Sequence, residues 1–207
     1  MNSIKTVVGG TIGTNCYIIE DNNEVVLIDF VPEVEGEIIQ RKLKVSKVLL
    51  THIHFDHFEL LCNFQKKFDF ELYLSKFAYE NINNKEYNLL YFIEDSSEID
   101  NINLKNAKVV KENDIIKLNN TEILVLETPG HSQDSLSYII KEKQLVFSGD
   151  LLFYQSIGRT DFVGSDYKTL IKSVERLFSA TNDSYTVYPG HGPETNIGFE
   201  KKSNPFL

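Results

Sequence analysis

The stretch "VLLTHIHFDHF" (Val48–Phe58) places three histidines and one aspartate directly after an apolar run. The run "VSKVLL" is typical of a buried β-strand, so the polar residues begin where that strand ends. Alternate side chains of an extended segment point the same way, which would let His52 and His54 share one ion. A turn would then bring Asp56 and His57 toward a neighbouring ion. The stretch therefore predicts one loop of a metal site.

The remaining histidines also follow apolar strands. "ILVLETPGH" leads to His131, "TVYPGH" leads to His191, and "QLVFSGD" ends in Asp150. Rigid strands fix the loops at their ends, and the glycines beside these residues allow tight turns. Taken alone, His131 or His191 would more simply be a satisfied polar residue. A surface histidine cluster would not account for Asp56 and Asp150, and a pH-sensing loop would not need strand ends.

The candidate donors are too many for one zinc ion, which usually takes four ligands in a structural site. They suit two ions about 3.5–4 Å apart, with Asp150 as a shared carboxylate. No cysteine is in the set, which argues against a closed structural zinc site. Zinc is the expected metal, with iron or manganese as alternatives. The predicted ligands are His52, His54, Asp56, His57, His131, Asp150 and His191.

Hydrophobic patterns predict strands and helices in alternation. In the first part, "TVV", "CYIIE" and "VVLIDF" are typical of strands joined by hairpin turns. A short helix is expected after Pro32, a second helix over residues 57–68, and a strand at "FELYLS". Residues 76–106 are expected to hold a helix and a cover over the core. The apolar face of the second helix would hold Phe58, Leu61, Phe64 and Phe68.

The second part follows the same order. "AKVV", "DIIKL", "TEILVLETPG", "SLSYIIK" and "QLVFSGD" are predicted strands, and "YTVYPGHG" is a last one. Between them, "DYKTLIKSVERLFS" predicts a helix, with Ser165 as its N-cap. Its apolar face would hold Leu170, Ile171, Val174, Leu177 and Phe178. Two strand-rich parts with helices predict two sheets packed face to face, with helices outside.

Composition limits the classes of protein that remain. The chain has 207 residues, 42% hydrophobic and 25% charged, so we expect one domain over residues 1–207. The net charge of −9 disfavours binding to nucleic acid or anionic membranes. No apolar run is long enough to span a bilayer, and "MNSIKTVVGG" lacks a signal-peptide hydrophobic region. Cys16 and Cys62 form no disulfide framework, so we expect a reduced, cytoplasmic protein.

These motifs resemble the metallo-β-lactamase superfamily, whose fold is an αββα sandwich with a dinuclear site between sheet edges. "THIHFDH" is similar to its HxHxDH signature, and "PGHS", "SGD" and "PGHG" to its later motifs. Within the superfamily, "TPGHSQDSLSYI", "VFSGDLLFYQSIGRTDF" and "YPGHGPETNIGFEKKSNPFL" look like the small, single-domain form of the glyoxalase II (hydroxyacylglutathione hydrolase) branch. Two-domain enzymes of that branch contact glutathione through a C-terminal helical segment, which we expect this chain to lack.

The resemblance implies an α/β (α+β) fold, a four-layer αββα sandwich of two mixed sheets. It also implies that one metal is held by His52, His54 and His131 and the other by Asp56, His57 and His191, with Asp150 shared. A metal-bridging hydroxide, oriented by Asp56, would attack a thioester such as S-lactoylglutathione. A thiolate leaves easily, so no dedicated general acid is needed. The expected partner is a small acyl-thioester substrate, with no nucleic acid, membrane or protein partner.

Other functions share parts of this pattern. An iron-dependent persulfide dioxygenase uses a related fold with one iron and a subset of these ligands. A lactonase, a β-lactamase or another hydrolase of the same fold would share the chemistry. A metal-dependent nuclease is disfavoured by the acidic balance and the lack of a basic extension. The complete ligand set gives no reason to prefer a non-enzymatic metal-binding scaffold.

A few residues near the ligands have two interpretations each. Arg159 and Asp161 would orient a ligand or a substrate carboxylate, or more simply form a salt bridge that holds their loop. Phe153 and Tyr154 either line the pocket or belong to the core. Ser132 and Ser148 adjoin ligands but have no free histidine base, so a serine nucleophile is not expected. Cys16 is expected to be a buried strand residue.

Overall fold

The computed structural model describes residues 3–22, 24–93 and 101–207. Within these residues the strands form two six-stranded sheets and one short two-stranded hairpin. Each large sheet contains both parallel and antiparallel neighbours, so both are mixed.

The first half of the chain builds the first sheet, whose strands follow chain order from β1 to β6. The first three strands are antiparallel neighbours, so the predicted hairpin logic is confirmed. The last three are added in parallel, and a short helix crosses over before each of them. The elements are β1 (Ser3–Gly9), β2 (Thr14–Asp21), β3 (Glu24–Ile28), α1 (Glu33–Arg41), β4 (Val45–Leu49), α2 (Leu61–Gln65), β5 (Glu71–Ser75), α3 (Lys76–Asn81) and β6 (Ala107–Val110).

The second half builds the second sheet, in the order β14-β13-β10-β9-β8-β7. Helix α4 crosses between the parallel strands β10 and β13, and the β11–β12 hairpin leaves the sheet just after the "SGD" motif. The elements are β7 (Ile115–Leu118), β8 (Thr121–Glu127), β9 (Leu136–Ile140), β10 (Leu145–Gly149), β11 (Leu152–Phe153), β12 (Ser156–Ile157), α4 (Tyr167–Ala180), β13 (Thr186–Pro189), β14 (Thr195–Asn196) and α5 (Ile197–Ser203).

Alternate side chains along each strand point to opposite faces of the sheet, so the buried apolar residues form three separate clusters. On β3, Val25 and Leu27 pack toward the helices of the first half, whereas Val26 and Ile28 pack between the two sheets. On the second sheet, Val146 packs against α4 and α5 in a third cluster. Helix, sheet, sheet and helix therefore lie in four layers, and the predicted αββα sandwich is confirmed.

Two local predictions need correction. The helix expected over 57–68 is confined to α2, because Leu60 adopts a left-handed conformation (φ 59°) that breaks the helix before it. Phe58 still packs in the same core, as a bridge partner of Phe30. The N-cap of α4 is Asp166 rather than Ser165, and its carboxylate accepts a hydrogen bond from Thr169 N–H (2.7 Å).

Residues 76–106 contain a helix, as expected. It is α3, and a 3-10 turn follows at Leu90–Phe92. Ile82, Leu89 and Ile102 cover the first-half core. The part of this prediction that concerns residues 94–100 lies outside the described residues. Among the described helices, none combines the length and the apolar character needed to cross a membrane.

Candidate metal centre

The histidine loop is buried, and backbone hydrogen bonds fix its path. The chain is extended up to His54 and then makes a 3-10 turn over Phe55–His57. The first residue of this turn donates its N–H to the carbonyl of Asn88 (2.9 Å), and the last accepts a hydrogen bond from Phe30 N–H (2.9 Å). The extended part and the turn thus point four polar side chains into the edge of the sandwich.

Three imidazole rings converge on one point. The Nδ1 atom of His54 lies 3.1 Å from Nε2 of His52 and 2.9 Å from Nε2 of His131. His131 comes from the "PGHS" loop after β8, 77 residues from His54 in sequence. The three nitrogen atoms all lie within 4.8 Å of one another, which is the spacing of donors around a single ion.

A second group of donors lies beside the first. Oδ2 of Asp56 is 3.2 Å from Nε2 of His57 and 3.3 Å from Nε2 of His191. The Thr14 hydroxyl donates to the same carboxylate oxygen (2.6 Å) and so fixes the orientation of Asp56. The His191 side chain is 27% exposed, which leaves the centre open on that side.

Asp150 lies between the two groups. Its Oδ1 atom is 3.4 Å from Nε2 of His57, and its Oδ2 atom is 3.4 Å from Nε2 of His131 and 3.6 Å from Nε2 of His191. One carboxylate therefore lies within 3.6 Å of donors in both groups. The structure brings all seven predicted ligands together at the edge where the two sheets meet.

Hydrogen bonds on the far side of the rings leave lone pairs facing the centre. The Nδ1–H of His131 donates to the carbonyl of Arg159 (2.8 Å), and that of His57 donates to Asp29 (2.8 Å). The Thr51 hydroxyl donates to Asp29 (2.8 Å), so it accepts from His52 Nδ1–H (3.1 Å). Rings held in this way present Nε2 as an acceptor, which is how metal-binding histidines are usually oriented.

Asp29 is the functional residue that sequence reasoning missed. It is buried at the end of β3, and its second oxygen accepts the backbone N–H of Thr51 (2.7 Å). One carboxylate thereby positions His57 directly and His52 through Thr51. The available signal was the "LID" ending of "VVLIDF", another carboxylate at the end of a buried strand.

Burial and mutual charge set the ionisation of the donors. Burial and the charge of His57 lower the pKa of His52, and burial with His131 lowers the pKa of His54 to about 3. Burial works to raise the pKa of Asp56, but His57 and His191 hold it at about 2. Burial likewise works against a charged His57, yet Asp56, Asp29 and Asp150 raise its pKa well above the usual value.

The residues fit bound metal cations better than a proton network. His57 Nε2 and Asp150 Oδ1 are buried and make no hydrogen bond to any described residue. The Nε2 lone pairs of His52 and His131 both face Nδ1 of His54 at about 3 Å, and this nitrogen could donate to only one of them, so a positive ion would stabilise the arrangement. Nitrogen and carboxylate oxygen are donors that zinc and iron both accept.

A cavity of about 640 Å³ opens over these donors. Phe153 lines it, and its ring centroid lies 6.1 Å from that of His191, whereas Tyr154 stacks on Phe199 instead. Arg159 also lines the cavity and makes two hydrogen bonds to the Asp161 carboxylate (2.7 and 2.6 Å).

The remaining residues singled out from the sequence are buried beside the centre or within the core. Ser132 bonds with Ser135, and Ser148 donates to backbone carbonyls, so neither hydroxyl faces a histidine base. Cys16 is buried in β2, and no disulfide joins Cys16 to Cys62.

Two groups of histidine and carboxylate donors, held on an αββα sandwich under an open cavity, form a candidate centre for metal-dependent catalysis. The profile of the metallo-beta-lactamase superfamily matches residues 9–191. The chain belongs to this superfamily, and the resemblance predicted from its motifs is confirmed.

One curated relative and two solved structures place the chain more closely. The hydroxyacylglutathione hydrolase GloC of Haemophilus influenzae is 35% identical, over 93% of this chain and 92% of its own. The BLEG-1 B3 metallo-beta-lactamase is similar with a TM-score of 0.88 and 32% identity, over 99% of both chains. TTHA1623, solved in a di-iron-bound form, has a TM-score of 0.82 and 32% identity, over 98% of this chain and 100% of that one.

Proposed function

We propose that this protein is a dinuclear metal-dependent hydrolase of thioesters such as S-lactoylglutathione. The observation that carries the proposal is the position of Asp150, whose two oxygens reach donors of both groups. In this arrangement His52, His54 and His131 would hold one ion, Asp56, His57 and His191 would hold the other, and Asp150 would contact both.

Two bound cations would make a water acidic enough to supply hydroxide near neutral pH and would polarise the substrate carbonyl. The chain's own residues orient the reactants. Asp56, fixed by the Thr14 hydroxyl, offers a carboxylate oxygen that would orient that water. Asp29 keeps the ring of His57 in place while charge develops.

The lack of a spare general acid favours a substrate whose leaving group needs no proton, such as a thioester. All five histidines of the chain are in or between the donor groups, so no histidine is left to protonate a poor leaving group. A thiolate leaves without protonation, whereas an amine needs a proton as it departs. Similarity to a relative named hydroxyacylglutathione hydrolase supports the same class of substrate.

One alternative function has a specific observation behind it, and another is disfavoured by the two donor groups. Similarity to the BLEG-1 metallo-beta-lactamase favours a cyclic amide or ester as a second candidate substrate. An iron-dependent persulfide dioxygenase would need one iron, and the two donor groups favour two ions over one. Zinc is the proposed metal, while the di-iron form of TTHA1623 supports iron as the alternative.

Metal analysis of the purified protein, combined with a thioester hydrolysis assay, tests the proposal. We expect two metal ions per chain and turnover of S-lactoylglutathione or a simpler thioester that is lost on chelation. Asp150→Asn should abolish turnover with the fold intact, while the matched variant Asp161→Asn, at an exposed carboxylate outside the donor groups, should retain it. One ion per chain with oxygen consumption on a persulfide, or turnover without metal, would refute the proposal.

A further inference from the structure

The cavity over the donors is apolar apart from the donors themselves and one arginine. The only basic side chain among its described lining residues is Arg159. The other lining residues come from separate parts of the chain. These parts are the β1–β2 loop, the 3-10 turn of the histidine loop, the 3-10 turn at Leu90–Phe92, the β11–β12 hairpin and the loop after that hairpin. They are Ile12, Phe55, Leu89, Phe92, Phe153, Ile157 and Phe162.

Aromatic rings form a continuous path from the donors to the rim. The centroid of Phe162 lies 5.3 Å from that of His54 and 6.4 Å from that of Phe92. At the rim, Phe92 is 59% exposed and Ile12 is 57% exposed. Apolar side chains exposed beside a reactive centre gain stability when an apolar ligand covers them.

Apart from the donor groups, the described lining of the cavity offers an anionic carrier no unpaired cation. Arg159 is bound by both oxygens of Asp161, and its guanidinium lies 4.3 Å from the centroid of the Phe162 ring. Carboxylates of a thiol carrier would thus meet no unpaired cation among the described lining residues.

We propose that this cavity selects acyl thioesters with an apolar acyl group, carried on a thiol without carboxylates near the sulfur. The proposal rests on the thioesterase function above and, within that class, ranks apolar acyl groups on uncharged thiols above S-lactoylglutathione. The apolar acyl chain would lie along the path from Phe162 to Phe92, with Ile12 covering it from the other side of the rim. The thioester carbonyl would then face the donors at the floor of the cavity.

Binding of non-hydrolysable thioethers tests this without depending on turnover. S-methyl, S-butyl and S-hexyl thioethers of N-acetylcysteamine, which is neutral, and of glutathione would be titrated into the metal-loaded protein by calorimetry. We expect affinity to rise up to about fourfold per added CH₂. The neutral series should bind at least as tightly as the glutathione series. Equal affinity for methyl and hexyl forms, or a tighter and salt-sensitive glutathione series, would overturn the proposal.

Matched variants locate the binding surface. Ile12→Ser and Phe92→Ser should each weaken S-hexyl binding about five- to tenfold and leave S-methyl binding unchanged. The controls Ile39→Ser and Phe206→Ser remove apolar side chains that are 57% and 51% exposed elsewhere on the protein, and should change neither. If the chain-length dependence is present but no thioester is hydrolysed, the thioesterase function is wrong and the apolar specificity stands. If thioesters are hydrolysed without that dependence, the specificity is wrong and the thioesterase function stands.

Discussion

The donor groups and the cavity wall are neighbours, but they are held in different ways. The side chains of His52, His57 and Asp56 are buried, and each has a partner that fixes it. The wall residues Ile12 and Phe92 are more than half exposed and lie on loops. Strand ends therefore determine the chemistry, while loops determine what the chemistry acts on. The two regions can change independently, and the following experiments ask how far.

The largest effect is expected at Gly190, where the backbone packs directly against two of the donor side chains. A Cβ atom on residue 190 would lie 2.1 Å from Oδ1 of Asp150 and 2.8 Å from Cε1 of His57. Gly190→Ala should displace the shared carboxylate and reduce kcat/KM by about 100-fold or more, with loss of bound metal. Elemental analysis and kinetics measure this. Gly36→Ala, where a Cβ would meet nothing within 4 Å, is the control, and equal metal content in the two variants would contradict the prediction.

The second-largest effect is expected at Asp29, which is not a predicted ligand but holds two histidine donors in place. Asp29→Asn removes the charge that orients His57 and, through Thr51, His52. Metal affinity should fall about 10–100-fold, because outer partners of metal-binding histidines usually contribute that much. Competition with a chelator gives the affinity. Asp161→Asn serves as the control, and unchanged affinity in Asp29→Asn would show that the rings are held by packing alone.

A smaller effect is expected at Glu200, which supports the cavity wall without contacting the donors. Glu200 is buried and accepts hydrogen bonds from Gln155 N–H (3.1 Å), the Thr195 hydroxyl (2.5 Å) and the Asn204 amide (2.8 Å). It thereby anchors the β11–β12 hairpin, which carries Phe153 into the cavity. Glu200→Gln should raise KM about fivefold, for roughly 1 kcal/mol of lost positioning, and leave metal content unchanged.

The readout for Glu200→Gln is the split between KM and kcat, with metal content measured on the same sample. Glu194→Gln, an exposed carboxylate nearby in sequence, is the matched control. A fall in metal content would mean that the hairpin also supports the donors, and the independence of the two regions would then fail.

The smallest effect is expected at the exposed ion pair on the wall. Arg159 positions His131 through its backbone carbonyl, which any residue at position 159 supplies. Arg159→Gln should therefore change kcat/KM for a neutral thioester by less than about twofold, since exposed ion pairs contribute little. Steady-state kinetics check this. A tenfold or larger fall would assign the guanidinium to substrate binding, the other interpretation of this residue.

The sequence was sufficient to predict which polar residues come together at this edge of the sandwich, because their signal is local. Each predicted ligand follows an apolar run whose length and periodicity indicate a strand, so His131 and Asp150 could be placed at strand ends without knowing their neighbours. The αββα layers followed from the same patterns. Asp29 could not be predicted because its role depends on contacts with His57 and Thr51, which are 28 and 22 residues away in sequence.

The remaining differences also come from interactions that no local pattern reports. The two-residue strands β11 and β12 are too short to show periodicity, and the sequence analysis did not identify them or α5. Leu60 keeps the apolar spacing of a helix while adopting a left-handed conformation, so the predicted helix was too long. Asp166 and Ser165 are both good capping residues, and the hydrogen bond from Asp166 N–H to the carbonyl of Gly130 (2.8 Å) fixes which one starts the helix.

The position of the donors at the seam between the sheets would give a bound metal a role in folding. Asn15 donates to the carbonyl of Pro189, 174 residues away, right beside the donors. Ions held there would act as a cross-link between the two halves of the chain, closing a loop that spans most of its length. Because metal would bind the folded chain only, each tenfold increase in free metal concentration above its dissociation constant should add about 1.4 kcal/mol to the free energy of unfolding. Thermal stability would then report metal supply in the cell as directly as activity does.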